Sequence, residues 1–226
     1  MTPLRITATL AGGMHSKANM VHLDALLIAA ECIRRGMPPP SVTGIDYSIK
    51  PPLERSACGR YWLSSCAVLS YDAYEQRWQN RRFPIKEAQG QGSSKLKRVL
   101  ITGGLSKSFR IPMQFGHVCN DTLRWYCMGD KTAIEELLTF VTSLGGRRGV
   151  GCGRVKSWTV ELMAEVDIWP GFPVVYQGRP LRPLPIDSLL VTEGDIGYLP
   201  LDPPRWPSES HRAEQVFLPQ FVEGLP

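Results

Sequence analysis

One stretch of the chain interleaves glycine and arginine at close spacing. Leu144-Gly145-Gly146-Arg147-Arg148-Gly149-Val150-Gly151-Cys152-Gly153-Arg154 holds five glycines in nine positions, and Lys156 follows. Glycine lets a backbone take positive φ and approach another backbone closely. Successive amides in such a turn can form an anion-binding nest. Arg147, Arg148, Arg154 and Lys156 add positive charge, and an arginine fork can grip phosphate bidentately. The pattern suits a phosphate-bearing ligand. It is not a dinucleotide fingerprint, which must follow a strand and open a helix; these glycines follow a predicted helix and precede a predicted strand. The absence of a G-K-[ST] ending excludes a triphosphatase loop. A plain flexible connection is the alternative.

Acid–base chemistry would fall to the four histidines, at 15, 22, 117 and 211. His15 lies in a loop between the first predicted strand and helix. It is the fallback catalyst, with Tyr71, Tyr74 and Lys17 open as proton-transfer partners. His22 opens the helix, where packing or capping is expected. His117 ends an apolar strand, and His211 lies in an acidic tail. No carboxylate cluster suggests a two-metal nuclease. The cysteines at 32, 58, 66, 119, 127 and 152 never form C-x-x-C and have no histidine at finger spacing, so neither a zinc site nor another cofactor is expected. They read as reduced, mostly buried thiols.

The elements that position these residues follow from periodicity. Leu4–Leu10 alternates as a strand, which Gly12-Gly13 ends. His22–Arg35 reads as a helix with Leu23, Leu26, Leu27, Ala30 and Ile33 on one face. Asp24 suits its positive end and Arg34 and Arg35 its negative end. Arg60–Leu69, Phe109–Val118 and Leu123–Met128 are further strand candidates. A second helix begins at a Thr132-x-x-Glu135 capping box, with Asp130 as the rival cap. Its stripe is Ile134, Leu137, Leu138, Val141 and Leu144, and Gly145 ends it. Val155–Met163 alternates again as a strand. This order is that of an α+β, ferredoxin-like (RRM-like) βαββαβ core, which presents an open sheet face to a ligand. Two segments stand outside it: a basic insertion at 71–110, and an irregular extension from Val166 that carries eleven of the nineteen prolines. The expected division is a domain over 1–165 and an extension over 166–226, packed on the core or on a partner.

Leu144-Gly145, five residues, then Gly151-Cys152-Gly153, between a helix and a final strand, resembles the glycine-rich loop of the RAMP superfamily of CRISPR-associated proteins. The resemblance is strong over residues 130–163. The opening strand and the His22-Leu23-Asp24-Ala25-Leu26-Leu27 helix start are similar to the small RAMP subunits of type IV CRISPR systems. There, the subunit similar to the fifth Cas family caps the 5′ handle of the guide RNA and seeds the filament of backbone subunits. The resemblance implies an RNA-binding assembly subunit in a ribonucleoprotein that recognises DNA through its guide, and the lack of a convincingly spaced second acid or base near His15 favours a non-catalytic binder. Its partners would be the guide RNA, the backbone subunits and the large subunit, with contact to target DNA left open. The candidate RNA-binding residues of the loop are Gly145, Gly146, Arg147, Arg148, Gly149, Gly151, Gly153, Arg154 and Lys156.

The insertion fits that implication on its own physics. Residues 71–110 carry Tyr71, Tyr74, Trp78, Phe83 and Phe109 among nine basic side chains and only three acidic ones. Single-stranded RNA is held by stacking splayed bases on aromatics and pairing phosphates with cations. Arg77, Arg81, Arg82, Lys95, Lys97, Arg98, Lys107 and Arg110 are candidates for a thumb doing this. The alternative is a solvated charged loop anchored by Trp78 and Phe83. Ala88–Lys97 is rich in Gln, Gly, Ser and Lys and is expected to be mobile; its tip could instead pinch a target duplex or a neighbouring subunit.

Charge sharpens the contrast. The 226 residues carry a net charge of +5, but residues 1–156 hold 22 basic and 11 acidic side chains, and residues 157–226 hold 4 and 10. A net +11 body followed by a −6 segment points to a polyanionic partner for the body. The longest early apolar run, Ala25–Ala30, is far short of the ~20 residues of a membrane span. The N-terminus has no signal-peptide pattern, so a prokaryotic cytoplasm is expected. An RNA-handle binder, a metal-independent endoribonuclease acting on precursor guide RNA, and a generic ferredoxin-like interaction module remain, in that order.

Overall fold

Alternation decides the first strand. In β1 (Thr2–Leu10), Leu4, Ile6, Ala8 and Leu10 are buried while the residues between them are partly exposed. The computed structural model describes residues 1–15, 20–37, 49–81, 109–146, 148, 151–199, 201 and 214–220. Among these the chain is mixed α/β, with mostly antiparallel strands and two α-helices. After β1 come β2 (Met20–His22), α1 (Leu23–Arg34), β3 (Cys66–Val68), β4 (Tyr71–Arg81), β5 (Phe109–Val118) and β6 (Thr122–Gly129). They are followed by α2 (Lys131–Leu138), β7 (Val155–Leu162), β8 (Val175–Tyr176), β9 (Arg179–Pro180), β10 (Leu184–Pro185), β11 (Ile196–Leu199) and β12 (Glu214–Phe217).

The central sheet has the order β6-β1-β7, antiparallel throughout. Ile6 pairs with Trp125 on one side and Val160 on the other, so three buried side chains form one rung of the core. Leu23, Leu27 and Ala30 of α1 and Ile134, Leu137 and Leu138 of α2 cover this face. Ile33 was expected on the buried face of α1 but is 49% exposed. Arg34 and Arg35 both clasp Glu31 one turn back. The Arg34 hydrogen bond is the main cause that holds the Glu31 carboxyl at about 2, against partial burial that pushes it up; Arg35 adds to the lowering.

The second helix differs from expectation at both ends. Asp130 is its cap, with Oδ1 accepting the Ala133 amide at 3.1 Å, and Thr132 lies inside the first turn. The helix stops at Leu138, short of Gly145. The Thr139 hydroxyl donates back to the Glu136 carbonyl at 2.6 Å, and the β-branched Val141 and Thr142 follow, a combination that disfavours further helix. Val141 and Leu144 still reach the core from non-helical backbone.

The strand expected over Arg60–Leu69 forms only at β3, which pairs with β2. Residues 62–65 instead run beside β6 through an isolated Ser64–Cys127 bridge and a 2.8 Å bond from the Ser65 amide to the Tyr126 carbonyl. The guanidinium of Arg182 takes the Trp62 and Ser64 carbonyls. Those acceptors are thereby diverted from a continuous ladder. Arg182 is 1% exposed and also bonds the Leu201 carbonyl and Asp24. Asp24 is thus a buried ion-pair partner as well as a first-turn acid.

The proline-rich extension is more regular than expected. β8 and β9 make a hairpin whose turn residues, Gln177 and Gly178, both have positive φ, as a type I′ turn requires. β10, β12 and β11 form a small antiparallel sheet. Strands this short accommodate Pro180 and Pro185 at their ends. The extension also alters the central sheet. Trp169 and Phe172 meet Tyr126 edge-on, at centroid distances of 5.1 and 6.3 Å. The open sheet face expected from the element order is therefore covered over β6, although Ser157, Thr159 and Glu161 of β7 stay exposed.

Candidate nucleic-acid interface

The glycine-rich loop is built by backbone approach. Gly145 has φ +74°, and a Cβ there would sit 2.6 Å from the His15 carbonyl oxygen. Gly153 has φ +61°, and its Cβ would fall 2.0 Å from the Leu144 carbonyl oxygen. The contacts that demand glycine are therefore with the protein's own main chain. The Gly146 amide donates to His15 at 2.7 Å, Gly153 to Gly13 at 3.0 Å, and Gly151 to Arg148 at 3.0 Å. Those three amides are committed internally and are not part of an open anion nest, while Arg147, Gly149 and Val150 lie outside the described residues. The loop turns side chains outward instead: Arg148, Arg154 and Lys156 are all exposed.

Two other segments lock onto this loop. Residues 11–15 run between it and β5: Ala11 donates to the Arg154 carbonyl at 2.8 Å, while Met14 and Gly116 exchange bonds of 2.8 and 2.9 Å. Phe115 and Cys152 are both buried and pack on each other. Gly116 leaves room for the Tyr71 ring, whose atoms would lie 2.0 Å from a Cβ at that position. The base of the β4–β5 ribbon is thus fixed to the glycine loop. His117 Nε2 approaches Glu75 Oε2 at 3.5 Å there, and His15 meets Gly146 in an isolated bridge.

The structure therefore brings together Gly145, Gly146, Arg148, Gly151, Gly153, Arg154 and Lys156. Arg77 and Arg81 lie on β4 and Arg110 on β5, where the register pairs Arg77 with Met113, Asn80 with Arg110, and Arg81 with Phe109. Arg147, Gly149, Arg82, Lys95, Lys97, Arg98 and Lys107, with the whole Ala88–Lys97 stretch, lie outside the described residues. His22 makes no side-chain cap; its Nδ1 lies 2.8 Å from Cys66 Sγ. Cys32, Cys66, Cys127 and Cys152 are buried and Cys58 is exposed. Burial pushes the Cys127 thiol upward. Among the described residues no three His, Cys, Asp or Glu side chains gather as a metal site, and no helix is long and apolar enough to cross a membrane.

Sequence reading missed the part played by residues 13–15 and by Gly116. Gly116 was legible in principle, as a lone glycine inside an apolar strand, which often marks close approach by another backbone.

Residues 102–170, which span β5, β6, α2, the glycine loop and β7, match the family model of CRISPR type IV associated protein Csf3. The similarity supports a type IV CRISPR-associated protein. It covers the loop and the ribbon strand that carries Gly116, the two pieces that residues 11–15 hold together. No curated protein matches the chain.

Proposed function

We propose that this protein is a non-catalytic RNA-binding subunit that caps the 5′ handle of the guide RNA and seeds a type IV effector ribonucleoprotein in the prokaryotic cytoplasm. The observation that carries the proposal is the set of main-chain bonds and close approaches that ties Gly145, Gly146 and Gly153 through residues 11–15 to the base of the β4–β5 ribbon, with Arg148, Arg154 and Lys156 exposed beside those glycines in the sequence. The similarity to a type IV CRISPR-associated family supplies the system. A ferredoxin-like reading of the core is supported by β1 lying between antiparallel β6 and β7, with residues 62–65 along the free side of β6. In this reading the ribbon is the thumb. Backbone and large subunits would assemble around the same RNA, and the acidic extension would face proteins or solvent.

The test is the salt dependence of RNA affinity. Each phosphate contact to a single strand contributes ~0.7 to the slope of log K against log salt. Arg148→Ala/Arg154→Ala should weaken binding and flatten that slope by about 1.4. An unchanged affinity and slope would sink the proposal.

Metal-independent cleavage of precursor RNA is the alternative, favoured by one observation. His15 and His117 each lie one residue from the Met14–Gly116 bridge, on the two sides of it. Repeat RNA left intact by purified protein in EDTA removes this alternative; cleavage abolished by His15→Ala or His117→Ala would replace the leading proposal.

A further inference from the structure

The β4–β5 ribbon has two unlike sides. On one, Phe115 is buried against Cys152 and Glu75 meets His117. On the other, large aromatic rings stand in solvent: Tyr74 is 66% and Trp78 59% exposed. Residues 74, 76 and 78 share that side because side chains alternate along a strand. Across the ribbon, Tyr74 pairs with Gly116 and Trp78 with Pro112. The Tyr71 ring, lodged over Gly116, lies 5.3 Å from the Tyr74 ring, centroid to centroid, and braces it. Gln76, also exposed, sits between the two rings. Even with that brace, Tyr74 and Trp78 keep more than half of their surface in solvent.

From this arrangement we infer that Tyr74 and Trp78 are stacking platforms, each taking one unstacked base of a single-stranded RNA, with the Gln76 amide between them reading a base edge. The inference rests on the proposed RNA binding and adds to it the part of the RNA that is gripped. Spacing carries it. Four residues of strand separate the platforms by about 13 Å, against a ~3.4 Å rise between stacked nucleotides. Bases on the two rings therefore cannot be stacked on one another, and a duplex, whose base faces are covered, has nothing to offer them. A side-chain amide carries both a donor and an acceptor, which suits a base edge between the platforms. The basic composition of 71–110 complements the phosphates of such a strand. A stacked aromatic tolerates any base, so affinity from this ribbon would be weakly dependent on sequence.

The experiment is fluorescence anisotropy on the full chain, with a labelled RNA of about 12 nucleotides, within the usual ~4–16 nucleotide range of single-strand sites. Tyr74→Leu and Trp78→Leu keep an apolar side chain but lose the ring, and each should weaken binding by roughly 5- to 150-fold. The salt slope should stay at its wild-type value, because no phosphate contact is removed. Tyr74→Phe and Trp78→Phe should retain most of the affinity, and an RNA duplex should be insensitive to all four changes. Leucine variants that bind like wild type overturn the stacking inference alone; the rings would then belong to a protein neighbour. Wild-type protein that binds no single-stranded RNA overturns both this inference and the proposed function.

Discussion

Replacing Gly153 by alanine tests whether the glycine loop is a structural lock. At φ +61° a side chain is disfavoured, by roughly 1–2 kcal/mol for the left-handed region. The added Cβ would also stand 2.0 Å from the Leu144 carbonyl oxygen. Ordinary contact begins near 3.4 Å, so the backbone must part by about 1.4 Å. That movement disrupts the 2.8 Å bond from the Leu144 amide to the Gly153 carbonyl and the 3.0 Å bond from the Gly153 amide to Gly13, each worth about 1 kcal/mol net. The expected loss is ~3–4 kcal/mol, or roughly 6–16 °C in melting temperature at ~2–4 °C per kcal/mol for a chain of this size. Two matched glycines calibrate the effect. A Cβ at Gly151 meets nothing within 4 Å but has φ +85°, so Gly151→Ala isolates the backbone strain. Gly12 has neither a close neighbour nor a positive φ, and alanine there should be nearly neutral. Thermal denaturation of the three variants should rank them Gly12, Gly151, Gly153 in rising cost. If Gly153→Ala melts with Gly12→Ala, close backbone approach is not why glycine stands there.

The buried pair gives a second prediction. Arg182→Leu removes the buried cation beside Asp24, which is itself 1% exposed, and should cost ~3–5 kcal/mol in urea denaturation; adding Asp24→Leu should recover part of the loss, and no recovery would show that the lost carbonyl bonds dominate. At the α2 cap, Asp130→Ala should cost about 1 kcal/mol, whereas Thr132→Ala should leave the denaturation midpoint almost unmoved; the reverse ranking would restore the Thr132 box. For pH, the Glu31 carboxyl is held down from 4.5 to about 2, chiefly by its Arg34 hydrogen bond. A depressed carboxylate contributes stability that is complete above pH ~4.5 and fades as pH falls toward ~2. Glu31→Gln should therefore flatten the acid limb of a stability profile between those values, and an unchanged limb would show that the clasp contributes nothing.

Legibility in the sequence tracked the locality of the cause. β1 was readable because apolar alternation is written within the segment and the central sheet obeys it, while β5, β6 and β7 are runs of local strand composition. Two of the failures have distant causes. Arg60–Leu69 looked like one strand, but a guanidinium 118 residues away takes the Ser64 carbonyl. The Trp169–Phe172 cover on Tyr126 depends on where an extension docks, which no local pattern encodes. The cap failed for a local reason: two adjacent signals competed, and the acid two residues earlier had the better geometry. At the candidate site, the loop cations were legible as charge and the glycines as freedom. What the glycines approach, the backbone of residues 13–15, was not.

That distinction bears on how selectivity could arise. An open nest of amides would impose fixed geometry on one phosphate, but the amides of Gly146, Gly151 and Gly153 are bonded to main-chain carbonyls of the protein. In the proposed RNA-binding role, attraction among the described loop residues would come from Arg148, Arg154 and Lys156, exposed side chains whose hold on phosphate is screened by salt and carries no sequence information. Such cations favour RNA and DNA, single strand and duplex, with little discrimination. A strand-selective grip therefore requires a different group that senses exposed bases. Among the described residues Tyr74 and Trp78 meet that need, on a ribbon that the glycine lock fixes at its root. Loop and ribbon should consequently fail in different ways: cation variants lose affinity in a salt-dependent manner, while ring variants lose the preference for single strands at every salt concentration.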